Sequence, residues 1–239
     1  MDSINNRDGL RAVAMSWNSW DKSLSRAPIL DCLEKHAFGE INEFISDYKV
    51  ESNWQPYRHK LVLQKLKRLK WPTIGFRDSE KENFRGSISL WEDRSSAQIF
   101  SSREYCEKMS IDSQQAIEFI TEIFGMNFIF HTGTVCGEDK PGDFYRENKI
   151  PWAPKCFNGC LVWMHLVHPS NYSKYLTRDD ILGMPAQEIQ EWDNGIIQVQ
   201  IFDHPFNYDA PENRQIIIEA SNYLRDRHLA FIKANSLER

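Results

Sequence analysis

The chain has 239 residues, 41% hydrophobic and 26% charged, with a formal net charge of −5; this is the composition of a globular protein long enough for a sizeable core. Eight Trp and fourteen Phe exclude intrinsic disorder, and the mild acidity argues against nucleic acid as a direct partner. No apolar run approaches the ~18 residues of a membrane span, no secretory signal is visible, and an odd cysteine count of five predicts reduced thiols in the cytoplasm.

The charge is unevenly placed. Residues 1–103 carry 17 Lys+Arg against 14 Asp+Glu, residues 104–193 carry 7 against 14, and residues 194–239 carry 5 against 6. The middle of the chain is therefore its acidic part.

In chain order, residues 1–22 form a polar arm with Trp17 and Trp20 embedded. Residues 29–48 read as helical, in two pieces around Gly39, with Leu30, Leu33 and Ala37 as one stripe and Ile41, Phe44 and Ile45 as another. The basic stretch 58–70, RHKLVLQKLKRLK, repeats Leu63, Leu66 and Leu69 and predicts a helix with a cationic outer face; Pro72 stops it. A short strand is expected over 73–76. Two alternating runs, 87–91 and 97–101, flank a charged connector and predict a β-hairpin with Ile88, Leu90, Ala97 and Ile99 buried. Asp112 with Gln115 is a capping box for a helix closed by Gly125, its inner stripe being Ala116, Ile117, Ile120, Ile123 and Phe124. Residues 126–131 read as a buried strand and 133–154, rich in Gly, Pro and acids, as a long ordered loop. The apolar run 159–167 is expected as a central strand, 175–192 as short helices around Gly183 and Pro185, and 195–202 as an alternating strand. Asp209 and Pro211 open a last helix with Ile216, Ile217, Ala220, Tyr223 and Leu224 on one face.

The architecture expected is a single α+β domain, a mostly antiparallel β-sheet with helices packed on it. Residues 1–71 form a mainly helical extension and 72–239 the sheet-containing core.

Little in the sequence points to catalysis. Cys156, Cys160, His165 and His168 invite a zinc reading, but two histidines three apart on a strand face opposite ways and cannot close a tetrahedron. No metal site and no cofactor are expected. The chain has no nucleophile elbow, Walker loop, dinucleotide fingerprint or H-E-x-x-H motif. An enzyme would need an unfamiliar site around His131, Cys136 and the 133–154 loop. Carboxylates interleaved with Trp152, Tyr172, Tyr175 and Trp192 are what a binder of a basic protein displays.

The order of the segments also carries a resemblance. GSISLW (86–91) in the hairpin is followed by the capped helix, WAP (152–154), VWMHL (162–166), NGIIQVQIFDHPF (194–206) and a helix opening in PEN (211–213). Over residues 72–232 this resembles the immunity-protein-52 family of bacterial polymorphic toxin systems. The resemblance implies a small cytoplasmic protein encoded beside a toxin, often one with a restriction-endonuclease-like nuclease domain, which it binds and silences. It brings no catalytic residues. A nuclease presents a cationic surface to DNA, so carboxylates are the expected toxin-binding groups: Glu138, Asp139, Asp143, Asp179, Asp180, Glu188, Glu191 and Asp193, with Trp192 as an anchor. The alternatives are the enzyme above and an accessory protein with a different partner.

Overall fold

The computed structural model describes residues 9–16, 28, 31–32, 35–36, 43–46, 49–52, 73–77, 84–90, 95–103, 106, 113–125, 132–137 and 141–236. The chain divides into two compact units, one within Gly9–Phe130 and the other within His131–Arg239.

The first unit holds six strands, β1 (Gly9–Ser16), β2 (Glu43–Ser46), β3 (Lys49–Ser52), β4 (Thr73–Arg77), β5 (Phe84–Leu90) and β6 (Ser95–Ser102), and helix α1 (Ser113–Gly125). The strands run antiparallel in the order β3-β2-β4-β5-β6-β1. The expected hairpin is β5–β6, with Ile88 opposite Ala97 and Leu90 opposite Ser95. On β1 and β6 burial alternates: Leu10, Ala12, Ala14, Ala97 and Ile99 are buried, while Arg11, Val13, Met15, Ser96 and Gln98 are half-buried. Helix α1 lies against β1. It buries Ala116, Phe119, Ile120, Ile123 and Phe124, and large side chains on the helix complement small alanines on the strand. Phe119 takes the core position expected of Ile117, which is only half-buried.

The second unit is built from β7 (Thr132–Cys136), β8 (Met164–Val167), β9 (Glu188–Glu191) and β10 (Ile197–Gln200), antiparallel in the order β7-β8-β10-β9. Its helices are α2 (Pro141–Glu147), α3 (Pro169–Tyr172), α4 (Arg178–Leu182) and the 26-residue α5 (Pro211–Ser236), with a 3-10 turn at Lys155–Phe157. Gly137 follows β7 at a close approach, where a Cβ would collide with the Pro205 carbonyl. The core is pinned by the Tyr145 hydroxyl, which accepts the Leu161 N–H at 2.8 Å and meets Ser221 Oγ on α5, also at 2.8 Å. Helix α5 buries Asn213, Ile217, Ala220, Ser221 and Leu224, the spacing of one helical face.

The fold class is therefore α+β, with antiparallel strands and helices packed on them. Several elements differ from the sequence reading. Phe44 and Ile45 belong to strand β2, which pairs with β3 and β4, so Glu43–Ser46 is strand where a helix is expected. Residues 1–71 contain three strands among their described residues, where a mainly helical extension is expected. The 133–154 stretch is not a loop throughout, since it contains most of β7 and all of α2. In 159–167 only Met164–Val167 pairs as strand; Gly159 takes φ +84°, and the Leu161 and Val162 N–H groups donate to the Tyr145 hydroxyl and to His165 Nε2 rather than to a neighbouring strand. The short helices expected in 175–192 reduce to α4, ended by Gly183, followed by strand β9. Trp17, Trp20, the basic stretch 58–70, Asp112, and residues 126–131 lie outside the described residues. No described helix is long and apolar enough to cross a membrane, and none of the five cysteines is in a disulfide.

Candidate functional site

Six of the nine expected contact residues fall on one stretch, from α4 through β9 to the turn before β10. Helix α4 begins in a capping box: Thr177 Oγ1 accepts the Asp180 N–H at 3.2 Å, and Asp180 Oδ2 accepts the Thr177 N–H at 2.9 Å and its hydroxyl at 2.7 Å. Asp180 is thus engaged within its own helix; it also faces Arg227 of α5 at 3.7 Å, and its side chain is only 15% exposed. Asp179, its neighbour, points outward with its side chain 90% exposed.

Strand β9 pairs with β10 on one side and is the edge of its sheet, with Ile189 half-buried and Glu188, Gln190 and Glu191 exposed. The connection to β10 is tight. The Trp192 N–H donates to the Ile196 carbonyl at 2.8 Å, the Gly195 N–H donates to the Trp192 carbonyl at 2.8 Å, and Gly195 takes φ +78°, the left-handed conformation a glycine adopts without a steric cost. Asp193 is exposed in this turn and Trp192 is half-buried.

Arg178 ties α4 to β9. Its Nε donates to Glu191 Oε1 at 2.7 Å, Nη2 donates to Glu191 Oε2, and Nη1 reaches Asp179 Oδ1 at 3.2 Å. Hydrogen bonding from Arg178 holds the Glu191 carboxyl below the usual carboxylate range, and the same contact raises the guanidinium. The result is an outcrop in which one guanidinium holds Asp179 and Glu191, with Asp193 exposed in the turn and Glu188 exposed at the far end of β9, on the opposite face of the strand from Glu191. Glu188 and Asp193 have no ion pair among the described residues.

Asp143 lies elsewhere. It begins α2, where Arg146 pairs with it, and the next residue, Phe144, sits under the Arg214 guanidinium at 4.9 Å. Asp180 by contrast meets Arg227, thirteen residues further along α5, a rise of ~20 Å. The expected acidic surface is therefore two groups at different stretches of α5. Glu138 and Asp139 lie outside the described residues.

Beside Asp143 the structure presents an aromatic that sequence reading ranked no higher than its neighbours. Trp152 is 55% exposed, yet its ring is fixed: it stacks on Tyr145 at 5.6 Å and lies against Gly142 and Gly159. The signal was the pair of glycines, which leave room for a flat ring. Tyr172 is buried and Tyr175 half-buried against His228, so neither is a free anchor.

Of the described cysteines and histidines in the enzyme and zinc readings, only Cys160 is not buried. Cys136 is buried in β7 and His131 lies outside the described residues. Burial pushes the Cys156 thiol up to about 12 and Cys160 to about 11, which leaves both protonated and poorly nucleophilic at neutral pH. His165 is buried on β8 with Nε2 accepting the Val162 N–H at 2.9 Å. His168 caps α3, its Nδ1 accepting the Ser170 N–H. Among the described residues one group has the ligand types and spacing to hold a metal ion, and it lies in the first unit: Cys32, His36 and Glu122. Comparison with known proteins finds no matching family model and no matching curated protein.

Proposed function

We propose that this chain is a non-catalytic immunity protein, which binds a cognate bacterial toxin of the nuclease class and silences it by covering its DNA-binding surface. The carrying observation is the outcrop on α4 and the β9–β10 turn. Four carboxylates stand exposed on a rigid frame of a capped helix, an edge strand and a tight turn. Rigid, like-signed groups of this kind steer association with a cationic partner, and a frame already ordered has little entropy left to lose on binding. The fixed, half-exposed ring of Trp152 beside Asp143 supplies what a charged rim lacks, an apolar anchor that can be desolvated. The resemblance of the segment order to that of the immunity-protein-52 family supports the same reading.

The test is surface plasmon resonance against the C-terminal domain of the toxin encoded beside this chain. Asp179→Lys, Glu188→Lys and Asp193→Lys are combined, leaving the Arg178–Glu191 pair and the Asp180 cap intact. Association is expected to slow about tenfold or more and to lose most of its salt dependence, with the unfolding midpoint unchanged. Trp152→Ala is expected to speed dissociation, at a cost on the order of 2 kcal/mol. A triple variant that binds with wild-type kinetics at low and high salt overturns the acidic-surface mechanism.

A further inference from the structure

We propose that Cys32, His36 and Glu122 form a binding site for a single divalent cation of the zinc class. The site is independent of the toxin-binding reading. The His36 N–H donates to the Cys32 carbonyl at 3.0 Å, so the two residues are one helical turn apart and their side chains share a face. Glu122 arrives from α1, with Oε2 2.8 Å from His36 Nε2. One ligand atom from each residue lies within 4.8 Å of the others. Tetrahedral zinc bonds of ~2.0–2.3 Å set ligand atoms about 3.5 Å apart, so the widest pair needs to close by only about 1 Å, within reach of side-chain rotation.

The donor set is selective. A thiolate, an imidazole and a carboxylate suit zinc and its borderline neighbours, whereas magnesium and calcium take oxygen ligands alone. Three protein ligands leave a fourth position for water or an incoming donor. The imidazole is oriented from its flank, with the Phe119 ring edge-on at 6.2 Å. Cys32 and His36 are buried, while the Glu122 side chain is 34% exposed and opens the cluster to solvent.

Lys35 brings a positive charge to the same carboxylate. Its ammonium is 2.6 Å from the same Glu122 oxygen that faces His36, and its side chain is 65% exposed, free to swing into water. A thiol ligates as thiolate, so metal capture expels the thiol proton to buffer as the metal–sulfur bond forms.

Titration of metal-free protein with Co2+ tests the site. One equivalent is expected to produce the thiolate-to-cobalt charge-transfer band and the visible bands of four-coordinate cobalt, with release of one proton; Zn2+ should then bleach both. Cys32→Ala should abolish the charge-transfer band, and Cys156→Ala should keep it. Should Cys32→Ala not fold by circular dichroism, Glu122→Gln at its half-exposed position decides the matter, with affinity expected to fall at least tenfold. No charge-transfer band in the wild-type protein, a band that persists in Cys32→Ala, or unchanged affinity in Glu122→Gln overturns the proposal.

Discussion

His165 is a base placed where it has no means of holding a charge. Desolvation in the core lowers its pKa from 6.5 to about 3. The imidazole is tied in the same sense by geometry, since the lone pair on Nε2 accepts the Val162 N–H, while the buried Nδ1 has no partner. The native state therefore keeps His165 neutral where the unfolded chain takes up a proton. Its contribution to stability is complete above pH 6.5 and is lost progressively as pH falls towards 3. At most one proton is involved, so the loss is ~1.4 kcal/mol per pH unit inside that window. His168, also lowered by burial, acts in the same direction. Urea denaturation at pH 7 and pH 4.5 should show His165→Gln losing less stability across that interval than the wild-type chain. Parallel losses in the two proteins would mean that the His165 proton is not coupled to folding.

Among the elements, α4 is the shortest one with a complete cap, and five residues have no helical stability of their own. Its place depends on the Thr177–Asp180 exchange and on Arg178 reaching Glu191. Thr177→Ala is expected to cost about 1 kcal/mol, read as a lower urea midpoint with an unchanged slope, and to disorder the base of the acidic outcrop; an unaltered midpoint would put the stability of α4 elsewhere. Elements with strong local signals were legible in the sequence: the β5–β6 alternation, the α1 stripe closed by Gly125, the β10 alternation, and Pro211 opening α5. Those fixed by pairing were not. Phe44 and Ile45 fit a helical stripe as well as a strand, and only β3 and β4 decide between them. Strand β9 is four residues, polar at all but Ile189, legible only through Asn194-Gly195, the turn signal that makes a hairpin with β10. The site was legible in the same uneven way. The carboxylates were readable as an acidic block, but not that Asp180 is turned into a cap or that Asp143 stands apart. Cys32 and His36 stand four apart in the stretch read as helical, but nothing in the sequence reading paired them; Glu122, far away in sequence, reaches them only through the fold.

At the scale of the whole molecule, charge and burial are distributed differently from their order along the chain. The acidic block 104–193 is divided between the two units, with Glu118 and Glu122 on α1 in the first and Asp179 to Asp193 in the second, so its balance of 7 against 14 belongs to neither unit alone. Helix α5 is uneven in another way. Its buried positions end at Leu224, and after that Leu229 and Ile232 are 57% and 46% exposed. The last three turns thus hang on helical propensity and on two contacts near their start, Arg227 with Asp180 at 3.7 Å and His228 Nδ1 with the Tyr175 carbonyl at 2.8 Å. One continuous rod should then open as a zipper does, from its free end. Hydrogen–deuterium exchange should find amides up to about residue 228 protected nearly to the limit of global unfolding, and those beyond exchanging orders of magnitude faster. Uniform protection to Ser236 would instead require a cover over Leu229 and Ile232 in solution, and the protein's concentration dependence of exchange would then tell whether that cover is another copy of itself.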